Sequence, residues 1–137
     1  MTVDRGALVT TDGSYVCAEG GGGRELVANR PARGPWETFR FAWLSPEDLA
    51  DRGTVALIAP NGQYVCAEGG GGRGLVANRG AVGAWETFRY VWWEVDDKIS
   101  LQTADGSYVC AEGGGGRELV ANRPGIGEWE KFSIELA

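Results

Sequence analysis

Short runs of alternating apolar and polar residues, separated by turn dipeptides, recur along the chain. In the first of them an apolar strand leads to Asp12-Gly13, a dipeptide that favours a tight hairpin turn. A second strand is predicted over Tyr15–Glu19, and a third over Leu26–Asn29 after a run of consecutive glycines. All of these signals are typical of β-structure.

The stretch that follows shows the alternation most clearly. A fourth strand is predicted from about Glu37, with Phe39, Phe41 and Trp43 on one face. We expect that face to point to the core, and Trp36 to lie on the opposite face if the strand is regular. The same alternation returns twice, in Phe88, Tyr90 and Trp92 and in Phe132, Ile134 and Leu136.

The whole four-strand pattern occurs three times. The sequence CAEGGGGRELVANR at Cys17–Arg30 returns unchanged at Cys110–Arg123, and the copy at Cys66–Arg79 differs only at Gly74. Tight-turn dipeptides also recur, at Asn61-Gly62 and Asp105-Gly106. The predicted repeats, each of about 45 residues and four strands, are residues 6–44, 54–94 and 98–137, which makes twelve strands.

The connection between the first two repeats, residues 45–53, is longer than the second connection. Ser45 followed by Pro46 predicts a capped helical turn that ends near Gly53. We therefore expect an inserted linker on the surface.

Three four-stranded units limit the ways in which the sheet can close. A β-propeller blade has a similar size, but propellers need about four blades or more to close a ring. Three units can instead form one barrel covered by a cap of hairpins, which protects the strand edges that would otherwise aggregate. The sequence therefore predicts an all-β, single-domain β-trefoil with pseudo-three-fold symmetry over residues 1–137.

The repeated motif also carries a family resemblance. The pattern G-x-Y-V-C-A-E-G-G-G, then L-V-A-N-R, then G-x-W-E-x-F, resembles the fascin-like branch of β-trefoils. It is especially similar to bacterial fascin-like domains, which occur alone or attached to glycoside hydrolases. The resemblance implies a carbohydrate-binding module or lectin for β-glucans or related glycans, and it spans essentially the whole chain.

Composition narrows the possible partners. The net charge is −6, which argues against nucleic acid or an anionic membrane as a partner. No stretch reaches the roughly 18–20 apolar residues of a membrane span. The N-terminus lacks a signal-peptide pattern, although a mature secreted form or a module of a larger protein would look the same, so the compartment stays open.

The absence of histidine and the three cysteines bear on the chemistry. Without histidine the chain lacks the usual general base and the commonest metal ligand, so we expect no metal and no cofactor. Cys17, Cys66 and Cys110 occupy equivalent positions that lie far apart in a three-fold object. We expect them to stay unpaired and to act as small apolar core residues.

The residues that packing does not require are the candidate site residues. The resemblance implies that the small apolar residues of the second strand face inward, which turns Tyr15 and Glu19 outward, and alternation leaves Asn29 outside. In the first repeat the candidates are Tyr15, Glu19, Asn29, Arg30 and Trp36, with Arg24 nearby. Their equivalents are Tyr64, Glu68, Asn78, Arg79, Trp85 and Arg73, and then Tyr108, Glu112, Asn122, Arg123, Trp129 and Arg117.

These residue types suit a sugar site. An indole face packs against the C–H groups of a pyranose, while carboxylate, amide and guanidinium groups bind its hydroxyls. The alternative for the tryptophans is packing on the preceding loop. For Glu19 the alternative is an ion pair with Arg24, and "ANR" could instead organise the following turn.

Two features are predicted to be mainly structural. Glu37, Glu86 and Glu130 share the parity of the core aromatics and are expected to accept backbone N–H bonds, with a shared site role as the alternative. The four glycines are followed by arginine and a strand, unlike a phosphate-binding loop. They predict a tight connection without side chains, which also leaves space for a ligand.

The leading hypothesis is a monomeric, non-enzymatic lectin with three equivalent glycan sites. The exposed glutamates would also suit an amino sugar. A fascin-like actin cross-linker is disfavoured by the acidic net charge and by the presence of a single trefoil. A glycosidase that uses Glu19 and Glu37 is disfavoured because the three predicted sites are shallow and identical. A protein-binding trefoil and a symmetrised design remain as further alternatives.

Overall fold

Twelve β-strands form in the computed structural model, which describes residues 2–44, 52–95 and 97–136. The predicted all-β class and strand number are confirmed. The strands are β1 (Thr2–Val9), β2 (Tyr15–Ala18), β3 (Leu26–Arg30), β4 (Phe39–Trp43), β5 (Arg52–Ile58), β6 (Tyr64–Ala67), β7 (Leu75–Arg79), β8 (Phe88–Trp93), β9 (Lys98–Gln102), β10 (Tyr108–Ala111), β11 (Leu119–Arg123) and β12 (Ser133–Leu136).

Six of these strands form the barrel. Strand β1 pairs antiparallel with β12 and β4, and the ladder continues through β5 and β8 to β9. A bridge between Ile99 and Phe132 joins β9 to the last segment of the chain and closes the ring. The barrel therefore leaves no free edge among these six strands.

The other six strands form three hairpins that cap the barrel. Hairpins β2–β3, β6–β7 and β10–β11 each continue from a barrel strand through one short pairing, such as Val9 with Tyr15. Isolated bridges join the third strands around the three-fold axis: Glu25 to Val76, Gly74 to Val120 and Glu118 to Val27. This is the arrangement expected of a β-trefoil.

The core follows the alternation of the sequence. Phe39, Phe88 and Phe132 are fully buried at equivalent positions, and Val16, Ala18, Leu26 and Ala28 of the first hairpin face the same cluster. Trp43, Trp92 and Ile134 pack against its edge. Leu136 departs from the pattern, because it is 59% exposed near the end of β12.

Element boundaries differ slightly from the sequence prediction. Strand β1 begins at Thr2, before the predicted start of the first repeat at residue 6. Arg52 and Gly53, predicted to end the linker, lie in β5, and the predicted helical turn at residues 45–51 falls outside the described residues. The fourth strand of each repeat begins two or three residues later than predicted, because the chain first makes a 3₁₀ turn. These turns are Pro35–Glu37 in the first repeat, Ala84–Glu86 in the second and Glu128–Glu130 in the third.

Candidate functional site

The tryptophan of each repeat lies half-exposed against the glycine run. Trp36 is in the middle of the 3₁₀ turn and is 43% exposed. A Cβ atom at Gly21 would lie 3.1 Å from its Nε1, so the ring edge approaches the glycine backbone directly. Among the described residues none accepts a hydrogen bond from this indole N–H. The same arrangement holds at Trp85 with Gly70 and at Trp129 with Gly114.

Glu37, next to the tryptophan, is a structural residue. It is 6% exposed, and its Oε1 accepts a hydrogen bond of 2.7 Å from the N–H of Gly34, which closes the start of the 3₁₀ turn. Burial, followed by a hydrogen bond from the thiol to Glu37, raises the pKa of Cys17 to about 12. The prediction of a backbone acceptor is confirmed, and the equivalent bonds join Glu86 to Gly83 and Glu130 to Gly127.

Arg30 links the exposed and buried carboxylates. Its Nη2 lies 3.3 Å from Glu19 Oε1, its Nε lies 3.7 Å from Glu37 Oε2, and its Nη1 donates to Asn29 Oδ1. The side chains of Arg30 and Glu19 remain 30% and 21% exposed. We call Trp36, Glu19, Asn29, Arg30 and Glu37, and each equivalent set, the tryptophan cluster. The other two consist of Trp85, Glu68, Asn78, Arg79 and Glu86, and of Trp129, Glu112, Asn122, Arg123 and Glu130.

The ion pair of Glu19 is not the one that the sequence offered as the alternative to ligand contact. Glu19 pairs with Arg30 instead of Arg24, because the 3₁₀ turn at Glu19–Gly21 and the register of β2 with β3 bring it above the end of β3. Arg24 instead lies 3.9 Å from Glu25 and is 67% exposed. Arg117 pairs in the same way with Glu118, and in the second repeat Gly74 replaces the glutamate beside Arg73.

Tyr15 is also engaged away from the tryptophan. Its hydroxyl donates a hydrogen bond of 2.8 Å to Glu135 of β12, and this bond raises the pKa of Tyr15. Ala42 and Val91 pair at the positions equivalent to Glu135 in the other repeats, so neither can accept this bond. Tyr64 and Tyr108 therefore have hydroxyl environments different from that of Tyr15.

The glycine run also joins neighbouring repeats, which the sequence analysis missed. The carbonyl of Gly21 accepts a hydrogen bond of 3.0 Å from the N–H of Asn61, in the tight turn of the next repeat. A Cβ atom at Gly22 would overlap the Asn61 side chain, and φ there is 139°. Gly23 donates to the carbonyl of Ala77. Equivalent contacts connect the second repeat to the third and the third to the first.

The described residues offer little chemistry of other kinds. No group of three or more histidine, cysteine, aspartate or glutamate side chains among them could hold a metal ion. The three cysteines are buried and free, so the prediction that they stay unpaired is confirmed. Within the described part of the chain no helix is long and apolar enough to cross a membrane. The tryptophan cluster can therefore stack a ring and exchange hydrogen bonds, with two carboxylates sharing one guanidinium.

Comparison with known proteins establishes the fold. A designed three-fold symmetric protein, ThreeFoil, aligns with a TM-score of 0.80 at 15% identity over 95% of this chain and 96% of that chain. A BEL β-trefoil aligns with a TM-score of 0.76 at 12% identity over 98% and 93%. A GlcNAcα1-4Gal-releasing endo-β-galactosidase from Clostridium perfringens aligns with a TM-score of 0.72 at 11% identity, over 98% of this chain and 32% of that chain.

The chain has the β-trefoil fold. At these identities the likeness shows the fold alone. No protein-family model and no curated protein sequence matches the chain, so the fascin-like assignment stays a prediction.

Proposed function

We propose that this protein is a non-catalytic glycan-binding protein with three equivalent sites, one on each tryptophan cluster. The observation that carries the proposal is the repeated geometry of Trp36, Trp85 and Trp129. These three side chains are 43%, 42% and 42% exposed, and each lies on a glycine backbone beside a partly open glutamate–arginine pair. Large half-exposed aromatic side chains next to polar groups are typical of sugar sites.

The cluster suits a pyranose ring. The open part of the Trp36 ring can pack against sugar C–H groups, and its unbonded indole N–H can donate to a ring hydroxyl. Glu19 is only partly covered and retains acceptor capacity beside its bond to Arg30. Because two carboxylates share one guanidinium, each cluster has an excess of negative charge, which also favours a sugar with an ammonium group.

Two independent observations suggest which class of glycan to test. The motif resemblance implies β-glucans or related glycans. The aligned endo-β-galactosidase releases GlcNAcα1-4Gal, and this chain covers 32% of it, so a similar trefoil forms part of a glycan-cleaving protein. We therefore propose β-glucan-type or amino-sugar-containing glycans, including N-acetylglucosamine-capped chains, as the first ligands to test.

The burial of Glu37 supports the proposal that binding occurs without catalysis. Hydrolysis by two carboxylates requires both groups to reach the scissile bond, one as acid and one as base or nucleophile. Glu37 is buried and already bound to Gly34, Cys17 and Arg30. Of these two carboxylates only Glu19 is partly open to a ligand, so we expect binding without hydrolysis.

Three sites on one rigid body would increase the apparent affinity for a multivalent glycan. Avidity can exceed the affinity of a single site by ~10²–10⁴ when the geometry allows simultaneous binding. This gives a functional reason for three matching clusters and predicts weak binding to monosaccharides with stronger binding to polymers.

A glycan array followed by calorimetric titration tests the proposal. The Trp36→Ala, Trp85→Ala and Trp129→Ala triple variant should lose binding, and single variants should retain two sites. Trp93→Phe is the matched control, because Trp93 lies on β8 and its N–H bonds Ser100, outside the clusters. Absence of binding to every glycan, or unchanged binding by the folded triple variant, would refute the proposal.

A further inference from the structure

A groove of about 490 Å³ lies between the first and second repeats, outside the tryptophan clusters. Its polar lining includes Arg5 on β1 and Arg40 on β4, together with Thr38. Its apolar walls come from Pro35, Ile58 and Pro60. It therefore combines two cationic groups with hydrocarbon surface.

The two arginines face each other without a carboxylate between them. Arg5 and Arg40 are direct partners in the β1–β4 ladder, and both are exposed. No carboxylate of the described residues lies within ion-pair distance of either one, although the net charge of the chain is −6. Like charges directly opposite each other in a sheet are destabilising, so this pair has a cost that no carboxylate of the described residues offsets by an ion pair.

The other repeats do not contain this pair. In the second repeat Thr54 pairs with Arg89 at the equivalent position. In the third, Ser133 of β12 takes the place of Arg40, so the fourth strand carries no arginine there. The double-arginine groove is therefore specific to the first repeat, within a chain whose tryptophan clusters are nearly identical.

The groove adjoins the first tryptophan cluster on both sides. Pro35 is followed directly by Trp36 in the 3₁₀ turn. On the opposite wall Pro60 precedes Asn61, whose N–H bonds the carbonyl of the same Gly21 that contacts the Trp36 ring. A ligand that stacks on Trp36 can therefore extend toward the two guanidinium groups.

We propose that this groove binds the oxyanion, a carboxylate or a sulfate, of an acidic sugar whose chain also occupies the Trp36 site. The planar donor forks of two arginines match such oxyanions with paired, charge-assisted hydrogen bonds. The prolines and Ile58 offer hydrocarbon surface that can contact the C–H face of the acidic ring. The inference rests on the proposed function for its glycan, and it makes the first site different in specificity from the other two.

Titration with three probes tests the groove: inorganic sulfate, an oligogalacturonate, and the neutral galactose oligomer of the same length. Binding is followed by calorimetry and by the Nε–H resonances of the arginines in heteronuclear spectra at low salt. Arg5→Gln with Arg40→Gln removes the charges, and Arg89→Gln, at the equivalent position of the second repeat, is the matched control. Thermal unfolding checks that each variant folds; the double variant should be as stable as the parent or more stable.

We expect the oligogalacturonate to bind more tightly than the neutral oligomer and to shift the resonances of Arg5 and Arg40. Each Arg→Gln change in the groove should lower the affinity for the oligogalacturonate by about tenfold or more, which is the effect of one charge-assisted hydrogen bond. Arg89→Gln should leave this affinity unchanged. Equal affinity of the folded double variant, or an equal loss in Arg89→Gln, overturns the proposal.

The remaining outcomes separate this inference from the proposed function. Sulfate binding at Arg5 and Arg40 without preference for the acidic oligomer shows an adventitious ion only, and overturns the acidic-sugar assignment. Glycan binding that the triple tryptophan variant abolishes and Trp36→Ala reduces by one site, with no effect of the groove variants, leaves the proposed function standing and refutes the groove. Acidic-sugar binding that depends on Arg5 and Arg40 but on none of the tryptophans supports the oxyanion site of the groove, but refutes both its link to Trp36 and the lectin sites.

Discussion

The contact between Trp85 and the glycine run gives the sharpest test of how the site is built. A Cβ atom at Gly70 would lie 2.9 Å from Trp85 Nε1, closer than real Cβ atoms approach other atoms. Two residues later, a Cβ at Gly72 would meet nothing within 4 Å. The φ angles are nearly the same, 81° at Gly70 and 79° at Gly72. Gly70→Ala and Gly72→Ala therefore carry a similar backbone cost and differ in their effect on the indole.

The magnitudes follow from these two terms. An L-residue in the left-handed region costs about 1–2 kcal/mol, so both variants should have a free energy of unfolding lower by this amount. Trp85 is 42% exposed, so more than half of its surface is covered. Covering about 100 Å² of apolar surface contributes about 2.5 kcal/mol, and we expect a displaced ring to lose somewhat under half of it, about 1 kcal/mol. Gly70→Ala should therefore unfold about 3–5 °C below Gly72→Ala.

Thermal unfolding and titration with a glycan that binds the parent measure the two effects on the same samples. Gly72→Ala should keep three sites, and Gly70→Ala should keep two, because only the second tryptophan cluster is disturbed. Equal unfolding temperatures together with equal site numbers would show that Gly70 does not set the position of Trp85. The stacking model would then lose its structural basis.

Three further predictions concern the carboxylates and thiols. Glu37→Ala removes the buried acceptor of the Gly34 N–H and should lower the free energy of unfolding in urea by about 2–3 kcal/mol. Glu19→Ala should lower the free energy of unfolding by under about 1 kcal/mol, because the ion pair of Glu19 is partly exposed. Equal losses of stability in the two variants would contradict the structural role of Glu37. The three thiols, whose pKa burial raises to about 12, should react with a thiol reagent at about pH 8 only after unfolding; rapid labelling of the native protein would contradict this. A hydrogen bond from Thr10 lowers the pKa of Asp12. The ionised Asp12 carboxylate should therefore contribute its full stabilisation above about pH 4, and this contribution should be lost as the pH falls through the lowered pKa. Asp12→Asn should reduce this acid loss in thermal scans, and an unchanged acid limb would count against the bond.

The barrel and its core could be predicted because their signals are local and periodic. Alternation placed Phe39 and Phe41 in the core, and the turn dipeptide Asp12-Gly13 marked the first hairpin. Three copies of the pattern then left few ways to close the sheet. The prediction that Trp36 is exposed and Glu37 buried also agrees with the structure, although the predicted reason was wrong. Strand parity does not apply there, because both residues lie in a 3₁₀ turn that precedes β4.

The partners of charged side chains could not be predicted, because they depend on contacts across the hairpin and between repeats. Glu19 and Arg24 are close in sequence, yet the 3₁₀ turn directs Glu19 to Arg30 at the end of β3. The Arg5–Arg40 pair likewise depends on the register of β1 with β4, which sequence spacing did not reveal. The bond between Tyr15 and Glu135 joins opposite ends of the chain.

Differences between the repeats show which parts of the fourteen-residue stretch the molecule requires. The side chains of Glu25 and Glu118 are exposed and lie at ion-pair distance from the neighbouring arginines. Gly74 replaces these glutamates in the second repeat without altering the backbone bridges of the cap. Gly21 and its equivalents, in contrast, contact a tryptophan on one side and bond the next repeat on the other. A larger residue there would disturb the ring and the junction between repeats together. The glycine run thus couples closure of the trefoil to the position of the proposed sugar-stacking rings, a physical reason for its three identical copies.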